Sequence, residues 1–153
     1  MRRGVSLLIA ALLVTAGCAG GANGRLSRSE YEAKLRAAFA HAAGQLRAAN
    51  AAPGSPLLVG RIGRAYGGIA SSLKGVRPPA RAQTLNTQLV AGAATAAATL
   101  RTLAAKLEDA PGPTRDRLLA EFDASRISGQ RQFDRAVAGL RAQGYRFSPS
   151  AGT

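Results

Sequence analysis

Apolar residues recur every three or four positions along most of the chain, which is the spacing of one face of an α-helix. The first such stretch covers residues 27–50 and opens with Ser27 and Glu30, the S-x-x-E pattern of a capping box. Leu26 and Tyr31 flank that cap as a hydrophobic staple. The apolar face continues through Leu35, Ala38, Ala42, Leu46 and Ala49. We therefore predict a first amphipathic helix over residues 27–50.

Further stretches with helical spacing follow, and each break between them contains proline or glycine. Ser55 and Pro56 mark the start of a second helix, because serine is favoured at the N-cap and proline in the first turn. Pro78 and Pro79 end that helix and open a third, which we predict over residues 79–109. The third helix carries the longest regular run of apolar positions: Leu85, Leu89, Gly92, Ala96, Leu100, Leu103 and Leu107.

A fourth helix is predicted from Thr114, its N-cap, to a C-terminal stop at Gly144. Ser128 and Gly129 lie within it and mark a place where it kinks or splits. No stretch of the sequence shows the period-two alternation of a β-strand. Four helices joined by short breaks predict an all-α fold, an up-and-down antiparallel helical bundle.

Residues 82–100 form the largest gap between charged side chains downstream of residue 25. The run is rich in alanine and threonine and too polar for a transmembrane helix. We interpret it as the most buried helix of the bundle. Its small residues open an alternative, in which the space around Leu89, Gly92 and Ala96 holds an apolar ligand.

The second helix contains an unusual concentration of glycine, at Gly60, Gly63, Gly67 and Gly68. Each glycine costs a helix roughly 1 kcal/mol relative to alanine, so the concentration needs a reason. A glycine and arginine segment can bind phosphate, but the spacing of a P-loop or a dinucleotide fingerprint is absent. Close helix packing, or a locally weak helix, is the interpretation that the sequence favours.

The chain has 153 residues and a formal charge of +13, which fits one domain with an excess of basic side chains. Most of the excess is arginine, a bias that a GC-rich genome can also produce. Several arginines lie along the predicted fourth helix or just beyond its end: Arg115, Arg117, Arg126, Arg131, Arg135, Arg141 and Arg146. Such a charge predicts anionic partners, namely lipid headgroups, acidic envelope polymers or nucleic acid.

Few side chains in the sequence are suited to catalysis or to metal binding. His41 is the only histidine and Cys18 the only cysteine, so the ligands of a zinc site cannot be assembled. His41 has no evident orienting group, so no Ser-His-Asp set can be assembled either. The eight acids are Glu30, Glu32, Glu108, Asp109, Asp116, Glu121, Asp123 and Asp134, and most lie near helix starts or arginines. We predict a non-enzymatic protein without a metal or a cofactor.

The N-terminal residues have the pattern of an export signal. Arg2 and Arg3 precede an apolar stretch of about ten residues, which is too short to cross a membrane. Small residues then lead directly to Cys18 in the sequence Thr-Ala-Gly-Cys. One interpretation is an ordinary signal peptide that is cut nearby and leaves Cys18 with a free thiol.

The first 20 residues resemble the signal peptide and lipobox of bacterial lipoproteins, with Thr15 where that family prefers leucine. The resemblance implies cleavage after Gly17, a lipid on the sulfur of Cys18, and a place on the extracytoplasmic side of the cell membrane. Loss of Arg2 and Arg3 then lowers the formal charge from +13 to +11.

The predicted organisation is a signal peptide over residues 1–17, a flexible tether over 18–25, a helical domain over 26–146 and a loose tail over 147–153. We expect a lipid-anchored adaptor of the cell envelope whose basic surface binds anionic lipids, envelope polymers or an envelope protein. Export makes nucleic acid an unsuitable partner. The alternative is a carrier that binds a small apolar ligand or lipid inside the bundle.

Overall fold

The computed structural model describes residues 24–47, 55–124 and 128–148. Within these ranges the chain forms five α-helices and no strand. The helices are α1 (Arg28–Arg47), α2 (Pro56–Leu73), α3 (Gln83–Asp109), α4 (Gly112–Ala124) and α5 (Gln130–Ala142), and a single 3-10 turn at Ala80–Ala82 precedes α3. The predicted all-α fold is therefore confirmed.

Two of the three N-caps that the sequence predicts, at Ser27 and Ser55, are formed, whereas Thr114, predicted as the third, lies inside α4, which begins at Gly112. Ser27 Oγ accepts a hydrogen bond from the backbone N–H of Glu30 at 3.3 Å, and Glu30 Oε2 accepts one from the N–H of Ser27 at 2.8 Å. This is the reciprocal pairing of a capping box. At α2, Ser55 Oγ accepts from the N–H of Leu58 at 3.2 Å. These caps satisfy backbone donors that the first turn of a helix leaves without partners.

Three of the four glycines of α2 face α3, with Gly63 in the closest contact, whereas Gly68 faces His41 of α1. A methyl group on Gly63 would lie 3.1 Å from Leu100 Cβ, while methyl groups on Gly60 and Gly67 would lie 3.6 and 3.7 Å from Ala104 Cβ and Ala97 Cβ. Because later glycines meet earlier residues of α3, the two helices run antiparallel. The missing side chains allow the two backbones to approach each other.

The predicted fourth helix is divided into α4 and α5. Gly129 has a φ of 89°, a left-handed conformation that glycine adopts without steric cost and that a helix interior does not contain. Both parts run antiparallel to α3: α4 packs along Leu103 and Leu107, and α5 begins beside Gly92 and reaches Leu85 at Gly139. The bundle thus keeps its up-and-down order with a broken last helix.

The α3 helix contributes the largest number of buried residues in the described part of the chain, but it is not the most buried helix, because 13 of its 27 residues are exposed against 4 of 18 in α2. The prediction that the uncharged run forms the most buried helix is therefore wrong. The inward positions of α3 are Asn86, Leu89, Gly92, Ala93, Ala96, Ala97, Leu100, Ala104 and Leu107. The amide of Asn86, 4 % exposed, accepts from the Tyr31 hydroxyl at 2.9 Å and donates to the Leu73 carbonyl at 3.5 Å. These bonds satisfy the only polar side chain in the described core.

A glycine stop turns the chain back after α5 and places aromatic rings between α5 and α1. Gly144, with a φ of 81°, donates to the Arg141 carbonyl at 2.8 Å, and Tyr145 donates to the Leu140 carbonyl at 3.0 Å, which together form a Schellman motif. The Tyr145 ring then packs edge-on against Tyr31, with centroids 5.5 Å apart.

The packed domain is longer at both ends than the sequence predicts. Phe147, predicted as the first residue of a loose tail, is 4 % exposed and lies 5.3 Å from the Phe39 ring. Arg25, predicted as the end of a flexible tether, donates to the Pro78 carbonyl at 3.1 Å and to Gln83 Oε1 at 2.9 Å. Neither residue belongs to a helical period, so the pattern gave no sign of these contacts.

Candidate functional site

The residue to which the sequence assigns a lipid, Cys18, lies outside the described residues, as does the whole of the export segment. The description begins at Gly24, six positions after Cys18. Here Leu26 donates its N–H to the carbonyl of Arg77 at 2.8 Å. The chain therefore enters the bundle beside the connection between α2 and α3.

Three parts of the bundle meet around this entry point: the start of α1, the connection from α2 to α3, and the end of α5. Arg28 donates a hydrogen bond to the carbonyl of Gly144, and Arg36 donates to the carbonyl of Arg146 at 3.4 Å. These bonds join α1 to the segment after α5. We call this end of the molecule, from Gly24 through these three parts, the tether end.

Basic side chains are concentrated at the tether end. The cations there are Arg25, Arg28, Lys34, Arg36, Lys74, Arg77, Arg81, Arg141 and Arg146, and all except Arg25 are exposed. The same three parts contain two acids, Glu30 and Glu32. The opposite half of the bundle contains seven described cations, Arg47, Arg61, Arg64, Arg101, Lys106, Arg115 and Arg117, and three exposed acids, Glu108, Asp109 and Asp116. The charge of the described bundle is thus unevenly distributed along its length.

The two acids of the tether end are already bound within the domain. Hydrogen bonds from the hydroxyl and the N–H of Ser27 hold the pKa of the Glu30 carboxyl below its usual range. The N–H of Arg146 and the guanidinium of Arg28 do the same for Glu32, at 3.1 Å each. Both carboxylates stay ionised at neutral pH. Glu30 stabilises the N-cap of α1, and Glu32 binds the segment that follows α5.

Two of the tether-end arginines stack on buried aromatic rings. The guanidinium carbon of Arg28 lies 5.2 Å from the Tyr145 centroid, and that of Arg141 lies 5.7 Å from the Phe147 centroid. Such cation–π contacts hold a charge at a fixed place on the surface. In contrast, Lys74, Arg77 and Arg81 project from the α2 to α3 connection without a hydrogen bond from their side chains to another described residue.

A second feature is an apolar groove near the other end of the molecule, between α1 and α2. It has a volume of about 400 Å³ and is lined by Phe39, Ala42, Ala43, Leu46, Leu58, Ile62, Ala65, Tyr66, Ile69 and Phe133. Its most exposed large side chain is Leu46, at 39 %. We call it the α1–α2 groove. Five of its lining residues, Phe39, Ala42, Ala65, Ile69 and Phe133, are buried in the core, and the sequence placed Ala42 and Leu46 on the apolar face of the first helix.

The interior position that the sequence offered for a ligand is occupied by α5. A methyl group on Gly92 would lie 2.6 Å from the N–H nitrogen of Phe133 and 2.9 Å from the carbonyl oxygen of Gly129. Leu89 and Ala96, on either side of it, are fully buried. The small side chains therefore serve close contact between helices at this level of the bundle.

The remaining candidates for chemistry are not brought together. His41 Nε2 lies 2.9 Å from Gln45 Nε2 on the same helix, and the His41 ring edge faces Gly68 of α2. Within residues 24–47, 55–124 and 128–148, no three His, Cys, Asp or Glu side chains are grouped in a way that could hold a metal ion. In the same ranges, no helix is long and apolar enough to cross a membrane.

Comparison with protein-family models, with curated proteins and with solved structures finds no match to this chain.

Proposed function

We propose that the protein is a lipid-anchored, non-enzymatic adaptor of the bacterial cell envelope, held on the extracytoplasmic side of the membrane through Cys18. The observation that carries the proposal is the sequence of the first 18 residues, where two arginines, a short apolar stretch and three small residues precede a single cysteine. Two or three acyl chains on that cysteine would anchor the domain firmly, since each buried methylene contributes roughly 0.8 kcal/mol.

The described surface supports a role in binding to anionic partners. Its exposed cations are spread over all five helices and gather at the tether end, and the acids of that end are bound internally. An exported domain with this charge attracts anionic lipids and acidic envelope polymers over distances of about a Debye length, roughly 8 Å at physiological ionic strength.

Crosslinking in cells tests this role. A photo-activated crosslinking residue is placed in the full chain at each of three exposed alanines, Ala80, Ala105 and Ala138, which lie on different parts of the surface. We expect adducts with envelope proteins, lipids or polymers from at least one position, and none in cells kept in the dark. Adducts confined to cytoplasmic proteins or nucleic acid would contradict the proposal, as would the absence of any adduct at all three positions.

The α1–α2 groove favours a second candidate, a carrier that binds an apolar ligand such as a fatty acid. Its walls are almost entirely apolar, and about 400 Å³ is in the range of small-molecule sites in proteins. The groove replaces the interior position around Gly92, which α5 fills. Binding in such a groove depends on apolar contact, so it should change little with salt, unlike binding through surface charge.

Titration with a fluorescent long-chain fatty acid tests the carrier function. Replacement of Leu46 with glutamine is expected to weaken binding about fivefold, because partial burial of a leucine contributes about 1 kcal/mol. The matched control is Leu57→Gln, since Leu57 is similarly exposed, at 52 %, but lines a different concavity. Equal losses in both variants, or a titration without saturation, would rule out the groove as the site.

A further inference from the structure

The uneven charge of the bundle has a consequence for how the domain sits on the membrane. We propose that the tether end is the surface that faces the membrane, where its cations bind the phosphates of anionic phospholipids. The proposal rests on the lipid anchor at Cys18 and adds to it an orientation and a binding surface.

The position of the chain entry limits how far this surface can lie from the lipid. Five residues, 19–23, lie between Cys18 and Gly24, so the two are separated by six Cα–Cα steps, which at roughly 3.6 Å each span at most about 22 Å. A helix of 20 residues such as α1 is already about 30 Å long. Gly24, where the chain enters the tether end, therefore stays closer to the headgroups than the length of one helix.

Three cations of the tether end, those of the connection from α2 to α3, are available for an external anion. Lys74, Arg77 and Arg81 are exposed, and the carboxylates of Glu30 and Glu32 are bound to Ser27 and to the Arg146 N–H and Arg28. No described acid lies within the connection from α2 to α3, residues 74–82. This connection therefore presents three positive charges with no nearby negative charge in the sequence.

The opposite end of the bundle would be a poorer surface for the same lipids. Glu108 and Asp109 end α3, and Asp116 follows in the first turns of α4, all exposed. These carboxylates would be repelled by an anionic bilayer and would offset part of the attraction of the neighbouring cations Lys106, Arg115 and Arg117. The distribution of charge and the point of chain attachment therefore both favour the tether end as the surface that faces the membrane.

Neutralisation of matched charges tests the orientation. One variant changes Lys74, Arg77 and Arg81 to glutamine, and the control changes Arg47, Arg64 and Lys106, three exposed cations away from the tether end. Both variants lose three positive charges. None of the six side chains makes a hydrogen bond to another described residue, so both variants should keep the fold.

The readout is the reactivity of a single introduced cysteine towards a bulky, water-soluble maleimide. Processed protein is purified from cells that express the full chain and is reconstituted in vesicles of phosphatidylcholine, with or without phosphatidylglycerol. The cysteine replaces either Ala80, at the tether end, or Ala105, on the exposed side of α3 towards its far end.

We expect the anionic lipid to slow the labelling of position 80 by about tenfold and to leave position 105 unchanged, because each cation near an anionic surface contributes about a fivefold preference. The protection should disappear in the tether-end variant and in about 1 M salt, where the Debye length is about 3 Å, and persist in the control variant. Equal labelling of position 80 in both kinds of vesicle, or equal loss of protection in both variants, would overturn the proposal.

Failure of the anchor itself gives a different result. An unmodified thiol at Cys18 would react with the maleimide in protein that carries no introduced cysteine. In that case the proposed function fails, whereas unprotected labelling of position 80 in lipid-modified protein rejects the orientation alone.

Discussion

Replacement of Gly92 with alanine is expected to destabilise the bundle by about 3 kcal/mol or more. The new methyl group would lie 2.6 Å from the backbone nitrogen of Phe133 and 3.0 Å from its Cα, and backbone atoms cannot move aside as the end of a flexible side chain can. To relieve the overlap, α5 must shift away from α3, which disturbs the packing of Phe133 and Ala136. Overpacking of a tight core usually costs 1–3 kcal/mol and at times more.

A matched substitution in α1 separates this packing effect from helix propensity. Gly44 lies in α1 with no atom within 4 Å of the place where a methyl group would be added. Because alanine is the better helix former, Gly44→Ala should stabilise the protein by about 0.5–1 kcal/mol. Urea denaturation followed by circular dichroism measures both variants, and a Gly92→Ala midpoint at or above that of the native protein would contradict the packing described for α3 and α5.

Replacement of Cys18 with serine is expected to remove the lipid and with it the firm attachment to the membrane. The hydroxyl of serine is a much weaker nucleophile than a thiolate, so it should not accept the lipid. Metabolic labelling with a fatty-acid analogue should fall to background in this variant. Ala22→Ser, four residues downstream, is the control and should label like the native chain.

Retention on membranes after a salt wash gives an independent readout of the same change. Acyl chains hold the native protein by apolar contact, which salt does not weaken, whereas surface charge alone is screened at about 1 M salt. The native chain should stay in the membrane fraction, and the Cys18→Ser variant should lose acyl-dependent retention. Undiminished acyl labelling of Cys18→Ser would show that the lipid is attached elsewhere and would contradict the assignment to Cys18.

Much of the helical architecture follows from local rules of sequence. The capping box at Ser27, the Ser55 and Pro56 start of α2 and the glycine stop at Gly144 each depend on a few neighbouring residues, and all three are formed. The interpretation of the α2 glycines as a packing surface was correct. Each glycine costs a helix roughly 1 kcal/mol relative to alanine, so their number indicated a compensating contact between helices. Gly129 was recognised as a possible break, and its left-handed backbone divides the last helix.

The features of greatest interest for function depend on contacts between distant parts of the chain. The sequence placed the arginines of its fourth helix along one element, whereas the tether end combines Arg28 with Arg77 and Arg141 from three separate segments. Phe147 looked like part of a tail because no helical period includes it, yet its ring fills space beside Phe39. Local spacing does not reveal such placements, since they arise only when the helices assemble.

The mass of the protein extracted from membranes tests the central claim most directly. Cells expressing the full chain are extracted with detergent, and the intact protein and its N-terminal peptide are analysed by mass spectrometry. Our account predicts a chain that begins at Cys18 and carries a diacylglyceryl group on the sulfur. A chain that keeps residues 1–17, or one with an unmodified Cys18 thiol, would contradict it.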